Sequence, residues 1–414
     1  MKPRFSGYMG RVISDFERQN AGVSVRWVDV PFETNVRKFT AAAAAGVAPD
    51  VINLPDSTYA RFAHLGALGD MRPHMSEAER SAYFPGAMRL CDLGRSTVAV
   101  PWYLSTYIAL ANEELLRRAG WSANAIPLEW TELVSRLVEF HRVAGVSLTT
   151  FKLGTDIPLR AMQDGIWPLE IDPSGRMAPA VRSAEFRDLA AKYVDVYRSG
   201  AMPRASGTGG VEVQVEQYQN REIALLSTGT NMLERVYDSA PQVYQQTSVL
   251  PGITGKLGWR DIATMVLSIS RGTKHPELAT KLALHITSHH AQMDLARMVG
   301  IIPSTLAALD DEHFAQPSEA ELAKPKGKIR QCRHLAAQGM QAATSFYPAL
   351  SIWPELAASF DQRIKAVLVD GADLDVALGI IEREWQKLMS RSAAVTSDAM
   401  PTRELAAHSN RSRL

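Results

Sequence analysis

The sequence predicts an α/β protein with more than one domain, and three observations support this. Apolar strand patterns alternate with helical patterns in the first part of the chain, an order typical of a mostly parallel sheet flanked by helices. A chain of 414 residues is too long for one compact core, so two domains are expected. Beyond residue 120 the helical patterns become longer, and two later apolar runs restart the strand pattern.

The N-terminal elements follow from hydrophobic periodicity. A first helix ends near residues 20–22, and its apolar face would comprise Tyr8, Met9, Val12, Ile13 and Phe16. A strand is predicted over residues 23–30, a helix over 36–45, and a second strand at "PDVINL". A helix at "TYARFAHLGAL", which stops near Gly66, completes the βαβα order.

The stretch "VPWYLSTYIALANEELLRRAGW" predicts a strand and a short helix with clear limits. The strand covers residues 106–111, Asn112 can cap the helix that follows, and Gly120 can end it. Two large aromatic residues, Trp102 and Tyr103, stand at the entry to this strand. A core strand is usually richer in valine and isoleucine, so these rings are candidates for a binding role.

Further strands are predicted over residues 223–226 and 264–269, and helices follow each of them. Residues 389–414 show no periodicity and few apolar side chains, so we expect a disordered tail. A doubly wound sheet normally starts with a strand, yet only residues 1–6 precede the first helix. The first strand is therefore expected to be missing.

Composition excludes several classes of protein. Hydrophobic residues make up 46% of the chain and charged residues 21%, as in ordinary globular proteins. The net charge is +1, from 45 basic and 44 acidic residues, which does not favour nucleic acid or an anionic membrane surface as a partner. No apolar run reaches the roughly 18 residues of a membrane-spanning helix. The chain as given also opens without the apolar segment of a signal peptide.

No catalytic or metal-binding motif is found. The sequence lacks a Gly-x-Ser-x-Gly elbow, a phosphate-binding loop and a His-Glu-x-x-His pair. His285 and His289 are four residues apart without an evident third ligand, and Cys91 and Cys332 match no metal or redox spacing. We therefore predict no catalytic residue, no metal and no cofactor.

Six stretches, in order, resemble one family. They are "FERQNAGVSVRWVDVP", "AAAAAGVAPDVINLPD" with "LGALGDM", "VPWYLSTYIALANEELLRRAGW", "LLSTGTNML", "APQVYQQTSVLPGITG" and "SRGTKHPELATKLALHITSHHAQMDLARMVGIIPSTLAALDD". The chain is similar, over about residues 5–388, to extracellular (periplasmic) solute-binding proteins, family 1, of carbohydrate ABC transporters. This family includes the maltose- and glycerol-phosphate-binding proteins.

The resemblance implies a type II periplasmic-binding-protein-like fold with two α/β lobes, each a mostly parallel sheet flanked by helices. Three crossings would join residues 1–106 and 265–305, as lobe 1, to residues 107–264 and 306–388, as lobe 2. A sugar would bind in the cleft between the lobes and be delivered to membrane permease subunits. The resemblance further implies a monomer that is not an enzyme, located in the periplasm or outside the cell and associated with the membrane through the transporter.

Site residues implied by the resemblance are loop aromatics and their polar neighbours. Rings would stack on the C–H face of a sugar, and polar side chains would bind its hydroxyl groups. The predicted stacking residues are Trp102, Tyr103 and Trp259; the predicted hydroxyl partners are Asp56, Thr228, Asn231 and Arg260; further candidates are Trp167, Tyr347 and Trp353.

Two alternatives stay open. A protein of the same fold could bind glycerol phosphate, an amine or a metal chelate, and Arg260 is compatible with a phosphate group. A carbohydrate-active enzyme is the second alternative, and it would need paired carboxylates facing the ligand. The missing first strand and signal sequence depart from the family pattern, and a trimmed or misassigned start would explain both.

Overall fold

The computed structural model describes residues 4–30, 32–174, 176–207, 210–344 and 352–391. The helices are α1 (Arg4–Gln19), α2 (Phe32–Ala44), α3 (Asp56–His64), α4 (Glu77–Ser81), α5 (Pro85–Arg89), α6 (Glu113–Arg118), α7 (Trp130–Ser135), α8 (Leu137–Ala144), α9 (Leu153–Gln163), α10 (Ala184–Arg198), α11 (Val211–Gln219), α12 (Met232–Ser239), α13 (Pro241–Gln245), α14 (Pro276–Ile286), α15 (His289–Val299), α16 (Glu319–Leu322), α17 (Gly327–Gln338), α18 (Trp353–Val369) and α19 (Leu374–Arg391). The strands are β1 (Val51–Pro55), β2 (Asp92–Leu93), β3 (Ser96–Thr97), β4 (Val100–Asn112), β5 (Leu169–Ile171), β6 (Met177–Pro179), β7 (Leu225–Gly229), β8 (Thr247–Pro251), β9 (Arg260–Ile269), β10 (Ile302–Pro303) and β11 (Ala343–Thr344).

The chain divides into two compact units. Unit 1 comprises Met1–Ser105, Ile262–Pro317 and Ala337–Ser345, and unit 2 comprises Thr106–Asp261, Ser318–Ala336 and Phe346–Leu414. The predicted lobes placed the third crossing near residue 305. In the structure the segment after that residue stays in unit 1, because Ala308 and Phe314 are buried against Met293 and Ala296 of α15.

The core of unit 1 forms between β1, the first part of β4, the later part of β9 and the surrounding helices. The predicted apolar face of α1 is confirmed, since Tyr8, Met9, Val12 and Phe16 are all buried. Strand β1 pairs with β9 in antiparallel register, from Val51 opposite Ile269 to Pro55 opposite Met265. Strand β10 pairs with β4 in the same sense.

The prediction of mostly parallel sheets is wrong for the strand pairs formed by β1 and β4. Strand β1 runs antiparallel to β9, and β4 runs antiparallel to β7, β8 and β10. A βαβ order predicts parallel pairing, but it does not determine which strands become neighbours. Here β1 and β4 pair with strands from much later in the chain, and the hydrophobic periodicity of a short segment cannot predict such distant partners.

The strand predicted over residues 23–30 is not formed. These residues belong to no ladder, although their side chains alternate between partly buried and exposed. The backbone N–H of Val25 donates to Glu17 Oε1 at 2.7 Å, and the ring of Trp27 packs edge-on against Phe5, with centroids 5.9 Å apart. The segment is therefore held by side-chain contacts to α1, which period-two alternation alone cannot distinguish from strand pairing.

The core of unit 2 is mostly aliphatic but contains several fully buried aromatic side chains. Helices α7, α8, α10, α18 and α19 bury Trp130, Phe140, Phe186, Phe360 and Trp385, respectively, each at 1% exposure or less. The indole N–H of Trp385 donates to the Leu356 carbonyl at 3.0 Å, so this buried polar group is satisfied.

The predicted limits of the short helix α6 are confirmed. Asn112 Oδ1 accepts hydrogen bonds from the N–H groups of Glu114 and Leu115, both at 3.1 Å, as an N-cap should. Gly120 follows the helix with φ +73°, a left-handed conformation that favours glycine. The strand before it extends further than predicted, to Val100, so Trp102 and Tyr103 lie within β4.

The predicted disordered tail, residues 389–414, falls almost entirely outside the described residues. The structure describes the chain up to Arg391, and Met389 is still part of α19 with 8% of its surface exposed. Helix α19 therefore continues three residues into the segment predicted as tail.

Asp164 connects three parts of unit 2. Its side chain, in a residue only 6% exposed, accepts from the N–H groups of Trp130 at 3.2 Å, Thr131 at 2.6 Å and Lys256 at 2.9 Å. Two of these groups belong to the first turn of α7, where N–H groups have no partner within the helix. One carboxylate thus fixes the start of α7 and the loop before β9.

We predict that Asp164→Ala lowers the free energy of unfolding by about 3 kcal/mol, because three backbone N–H groups lose a charged acceptor in a buried site. Urea denaturation measures this loss. Asp188→Ala is the control, since the Asp188 side chain is 69% exposed. Equal midpoints for the two variants would contradict the role assigned to Asp164.

Candidate functional site

A cavity of about 110 Å³ lies within unit 2. It forms where β4 and β7 meet the first turns of three helices, α7, α9 and α11. Its lining residues are Tyr107, Trp130, Thr149, Thr150, Phe151, Lys152, Thr155, Asp156, Arg160, Gly210, Val211, Gln214 and Ser227.

Helix packing places the start of α9 at the cavity. Gly154, in its first turn, is buried, and a Cβ atom there would clash with the backbone and side chain of Asp361 in α18. Glycine therefore permits the close approach of α9 to α18. The start of α9 then contributes Thr155 and Asp156 to the cavity lining, together with Lys152 immediately before the helix.

A buried arginine is the main charged group of the cavity. Arg160 is 5% exposed, and its guanidinium carbon lies 4.2 Å from the centroid of the Trp130 ring and 5.5 Å from that of Tyr107. Its Nη1 donates to Gln163 Oε1 at 2.9 Å, whereas its Nη2 lies 3.9 Å from Asp156 Oδ1. The guanidinium is thus oriented mainly by aromatic stacking.

Asp156 compensates this charge incompletely. Burial raises the pKa of its carboxyl group, and this effect exceeds the opposing influence of Arg160 and of the hydrogen bond from the backbone of Lys152. That hydrogen bond, 2.8 Å long, engages Oδ2 of Asp156. The cavity therefore contains a permanent cation beside a carboxylate whose ionised form is disfavoured.

Several buried polar atoms around the cavity have no hydrogen-bond partner among the described residues. They include Thr150 Oγ1, Arg160 Nε and Ser227 Oγ, all on lining residues. Buried polar groups are nearly always paired, because an unpaired one costs the energy of removing it from water. Such a cluster can bind a ligand rich in hydroxyl or carboxylate oxygens.

A family model described as a bacterial extracellular solute-binding protein matches residues 11–322. The chain belongs to this family. The predicted membership is confirmed, and the extracellular character of the family agrees with the predicted location. In the part of the chain that the structure describes, no helix is long and apolar enough to cross a membrane.

Solved structures confirm the two-lobed fold type of this solute-binding protein. A Synechococcus sp. MITs9220 protein, provisionally named an oligosaccharide periplasmic-binding protein and solved in complex with zinc, is 28% identical with a TM-score of 0.80, covering 94% of this chain and 97% of that one. The sugar-binding protein MalE from Xanthomonas citri is 20% identical (TM-score 0.76, coverage 93% and 95%). Lmo0181 from Listeria monocytogenes, solved with cycloalternan, is 18% identical (TM-score 0.69, coverage 93% and 96%).

The last two similarities, at 20% and 18% identity, show the fold alone. A comparison with proteins of curated function found no significant match. Among the described residues, no group of three or more His, Cys, Asp or Glu side chains could hold a metal ion. The two cysteines are free and buried, and burial raises the pKa of the Cys332 thiol to about 12.

In unit 1, the structure places Trp102 in the core of the solute-binding protein. The residue is 3% exposed, and its ring centroid lies 6.1 Å from that of Phe5 and 5.2 Å from that of Tyr103. A ring buried to this extent has almost no face to offer a sugar, so Trp102 serves packing. Tyr103 is half-buried against the same core, and burial raises the pKa of its phenol.

Asp56, also in unit 1, lies in the first turn of α3. Its Oδ2 accepts from the backbone N–H of Thr264 at 2.8 Å, which ties α3 to β9. The carboxylate therefore already has a structural hydrogen bond.

Three of the predicted polar residues lie in unit 2. Thr228 is fully buried in β7 beside Ser227, and Asn231 is exposed immediately before α12. Arg260 is half-buried at the start of β9; its Nη1 has no partner among the described residues, and burial lowers its pKa. Of these, Thr228 is the one adjacent in sequence to a cavity-lining residue.

The remaining predicted aromatics are mostly core residues of unit 2. Trp259 is 9% exposed and Trp353 is 7% exposed, with the Trp353 ring 6.1 Å from that of Trp385. Trp167 is partly buried and packs against the same core. Tyr347 lies outside the described residues.

The sequence analysis missed the residues that line the cavity. The available signal was in "FKLGTDIPLR", where Asp156 and Arg160 are spaced four apart and fall among the apolar positions Leu153 and Ile157 of one helix face. Charged side chains are rarely buried unless they are paired or functional, so a charged pair on the apolar face of a helix indicates a buried site.

We predict that Trp102→Ala lowers the free energy of unfolding by roughly 3–5 kcal/mol, because it removes a large buried ring from a packed core. Urea denaturation of the variant and of Trp102→Phe provides the measurement. The Phe variant should recover most of the loss. A Trp102→Ala variant that unfolds like the wild type would show that the ring contributes little to core packing. Trp102 would then again be a candidate binding residue.

Proposed function

We propose that this solute-binding protein captures a sugar, most simply an oligosaccharide, for an ABC importer, and that the unit 2 cavity binds part of it. The observation that carries the proposal is the combination in one cavity of aromatic rings with buried, unpartnered hydroxyl groups. Delivery to membrane permease subunits, and association with the membrane through them, belong to the same proposal.

The chemistry of the cavity suits a sugar ring. Tyr107, which is partly exposed, offers an aromatic face to C–H groups, and Thr150, Ser227 and Gln214 offer hydrogen bonds to hydroxyl groups. A volume of about 110 Å³ is well below the roughly 300–1,000 Å³ typical of whole-ligand pockets. The cavity therefore suits one ring or one end group of a larger ligand.

Two further considerations support this assignment. The Synechococcus relative, at 28% identity, is named for oligosaccharide binding. Of the residues predicted from the sequence, we retain Thr228, Asn231 and Arg260 as candidate partners for hydroxyl groups, since all three are polar residues of unit 2.

A thermal-shift screen against mono-, di- and trisaccharides tests the function. A ligand present at 100 times its dissociation constant adds about 2.7 kcal/mol of stability, which is readily detected. Isothermal titration then gives affinities for the hits. A complete lack of stabilisation by any carbohydrate would overturn the proposal.

We predict that Val211→Trp abolishes binding of the sugar found in this screen, because a large ring at the start of α11 would fill the cavity. Val211 is 41% exposed, so the fold should tolerate the change. Val138→Trp is the matched control: Val138 is 43% exposed on α8 and does not line the cavity. Unchanged affinity in Val211→Trp, or an equal loss in both variants, would place the sugar elsewhere.

A further inference from the structure

We propose that the ligand group bound in the unit 2 cavity is anionic, so that the captured solute is an acidic sugar bearing a carboxylate or a phosphate. The sugar part of this inference rests on the function proposed above. The charge part rests on independent features of the cavity: two helix N-termini, one buried arginine and one lysine, facing a single acidic residue.

The first feature is the convergence of two helix N-termini. Helix α9 has 11 residues and α11 has nine, and the first turns of both line the same cavity. Each helix start carries a partial positive charge of about half a unit, together with N–H groups that lack partners within the helix. Two such ends at one small cavity favour a negative group.

The caps of these helices strengthen this feature. Helix α11 begins after Gly210, which has no side chain to cap it. Helix α9 begins after Lys152, and the Lys152 side chain makes no capping hydrogen bond. Serine, threonine, aspartate or asparagine usually accepts hydrogen bonds at this position. Without such a cap, the first N–H groups of α11 are suited to an anion from outside the chain.

The second feature is Arg160, a residue of α9 that is only 5% exposed. Its Nε–H group finds no acceptor among the described residues. Guanidinium groups bind carboxylates and phosphates through two parallel hydrogen bonds, often using Nε and one Nη. An anionic oxygen would supply the acceptor that Nε lacks.

Asp156 does not already fill this role. Its Oδ2 accepts from the backbone of Lys152, and its Oδ1 lies 3.9 Å from Nη2 of Arg160, beyond hydrogen-bond distance. Lys152, whose side chain is exposed, adds a second positive charge to the lining. Among the lining residues, two formal positive charges therefore stand against one negative charge.

These features discriminate between classes of ligand. A cationic amine would be repelled by Arg160, Lys152 and both helix ends. A neutral sugar could satisfy the hydroxyl groups of Thr150 and Ser227, but it would leave the excess positive charge in a poorly solvated cavity uncompensated. An anionic group satisfies both the hydrogen bonds and the charge.

Titration calorimetry with matched ligand pairs tests the inference. Neutral mono- and oligosaccharides are compared with their uronate forms, which test the carboxylate, and with their sugar phosphates, which test the phosphate. We expect the tightest ligand to be acidic, at least about tenfold tighter than its neutral match, with an affinity that falls as salt is added.

Each result has one meaning. A tightest ligand that is neutral would overturn this inference and leave the proposed sugar function intact. Failure of every neutral and acidic carbohydrate to bind would overturn both. Tight binding of uronates alone, or of sugar phosphates alone, supports the inference and identifies the source of the anion.

Variants separate charge from fold. Arg160→Gln should reduce the preference for the acidic ligand over its neutral match about tenfold or more, and Arg160→Lys should keep part of it. Lys152→Gln, at an exposed position, should weaken the acidic ligand without affecting stability. Lys192→Gln, exposed on α10 and away from the cavity lining, is the control and should change nothing.

Because Arg160 is buried, the unfolding midpoint of each variant is measured first, and Lys152→Gln provides the result if Arg160→Gln does not fold. A preference for the acidic ligand that survives in Lys152→Gln and in every folded Arg160 variant would overturn the inference.

Discussion

The contact on which the unit 2 cavity depends is the stacking of Arg160 on Trp130. The guanidinium lies 4.2 Å from the ring centroid, in a position almost closed to solvent. Arginine tolerates this environment better than lysine, because its charge is delocalised and weakly hydrated and its plane matches an aromatic face. Trp130 opens α7, Arg160 belongs to α9, and Asp164 ties the start of α7 to the loop before β9 through three N–H groups. The charged group is thus placed by rigid packing rather than by a flexible loop.

Much of the fold could be predicted from the sequence where the determinants are local. The apolar face of α1 and the cap of α6 by Asn112 depend on residues within a turn or two of each other, and both are confirmed. The direction of β1 was not predictable in this way, because its partner β9 comes from the other end of the chain. The strand predicted over residues 23–30 is wrong for a related reason. Alternation predicts a strand, but a strand also requires a neighbouring strand to pair with.

The candidate site was predicted less well than the fold. Trp102 and Trp353 are predicted as sugar-binding aromatics, yet both are buried in cores. Aromatic rings are the most effective core residues of a large domain, so their presence near strand ends does not separate packing from recognition. The cavity residues are identified instead by a charge at an apolar helix position and by helix starts without caps. Only the first of these is visible in sequence, and the convergence of α9 and α11 requires the tertiary structure.

The same features that suit the cavity to a ligand cost folding energy. Burying the guanidinium of Arg160, the carboxyl group of Asp156, whose pKa burial raises, and the hydroxyl groups of Thr150 and Ser227 costs more than burying apolar side chains in their place. Proteins retain such groups mainly where function requires them. A ligand that pairs them relieves this cost, so its binding energy includes the return of energy lost on folding. Specificity follows, because a ligand lacking one of the required oxygens leaves that group unpaired in the complex as well.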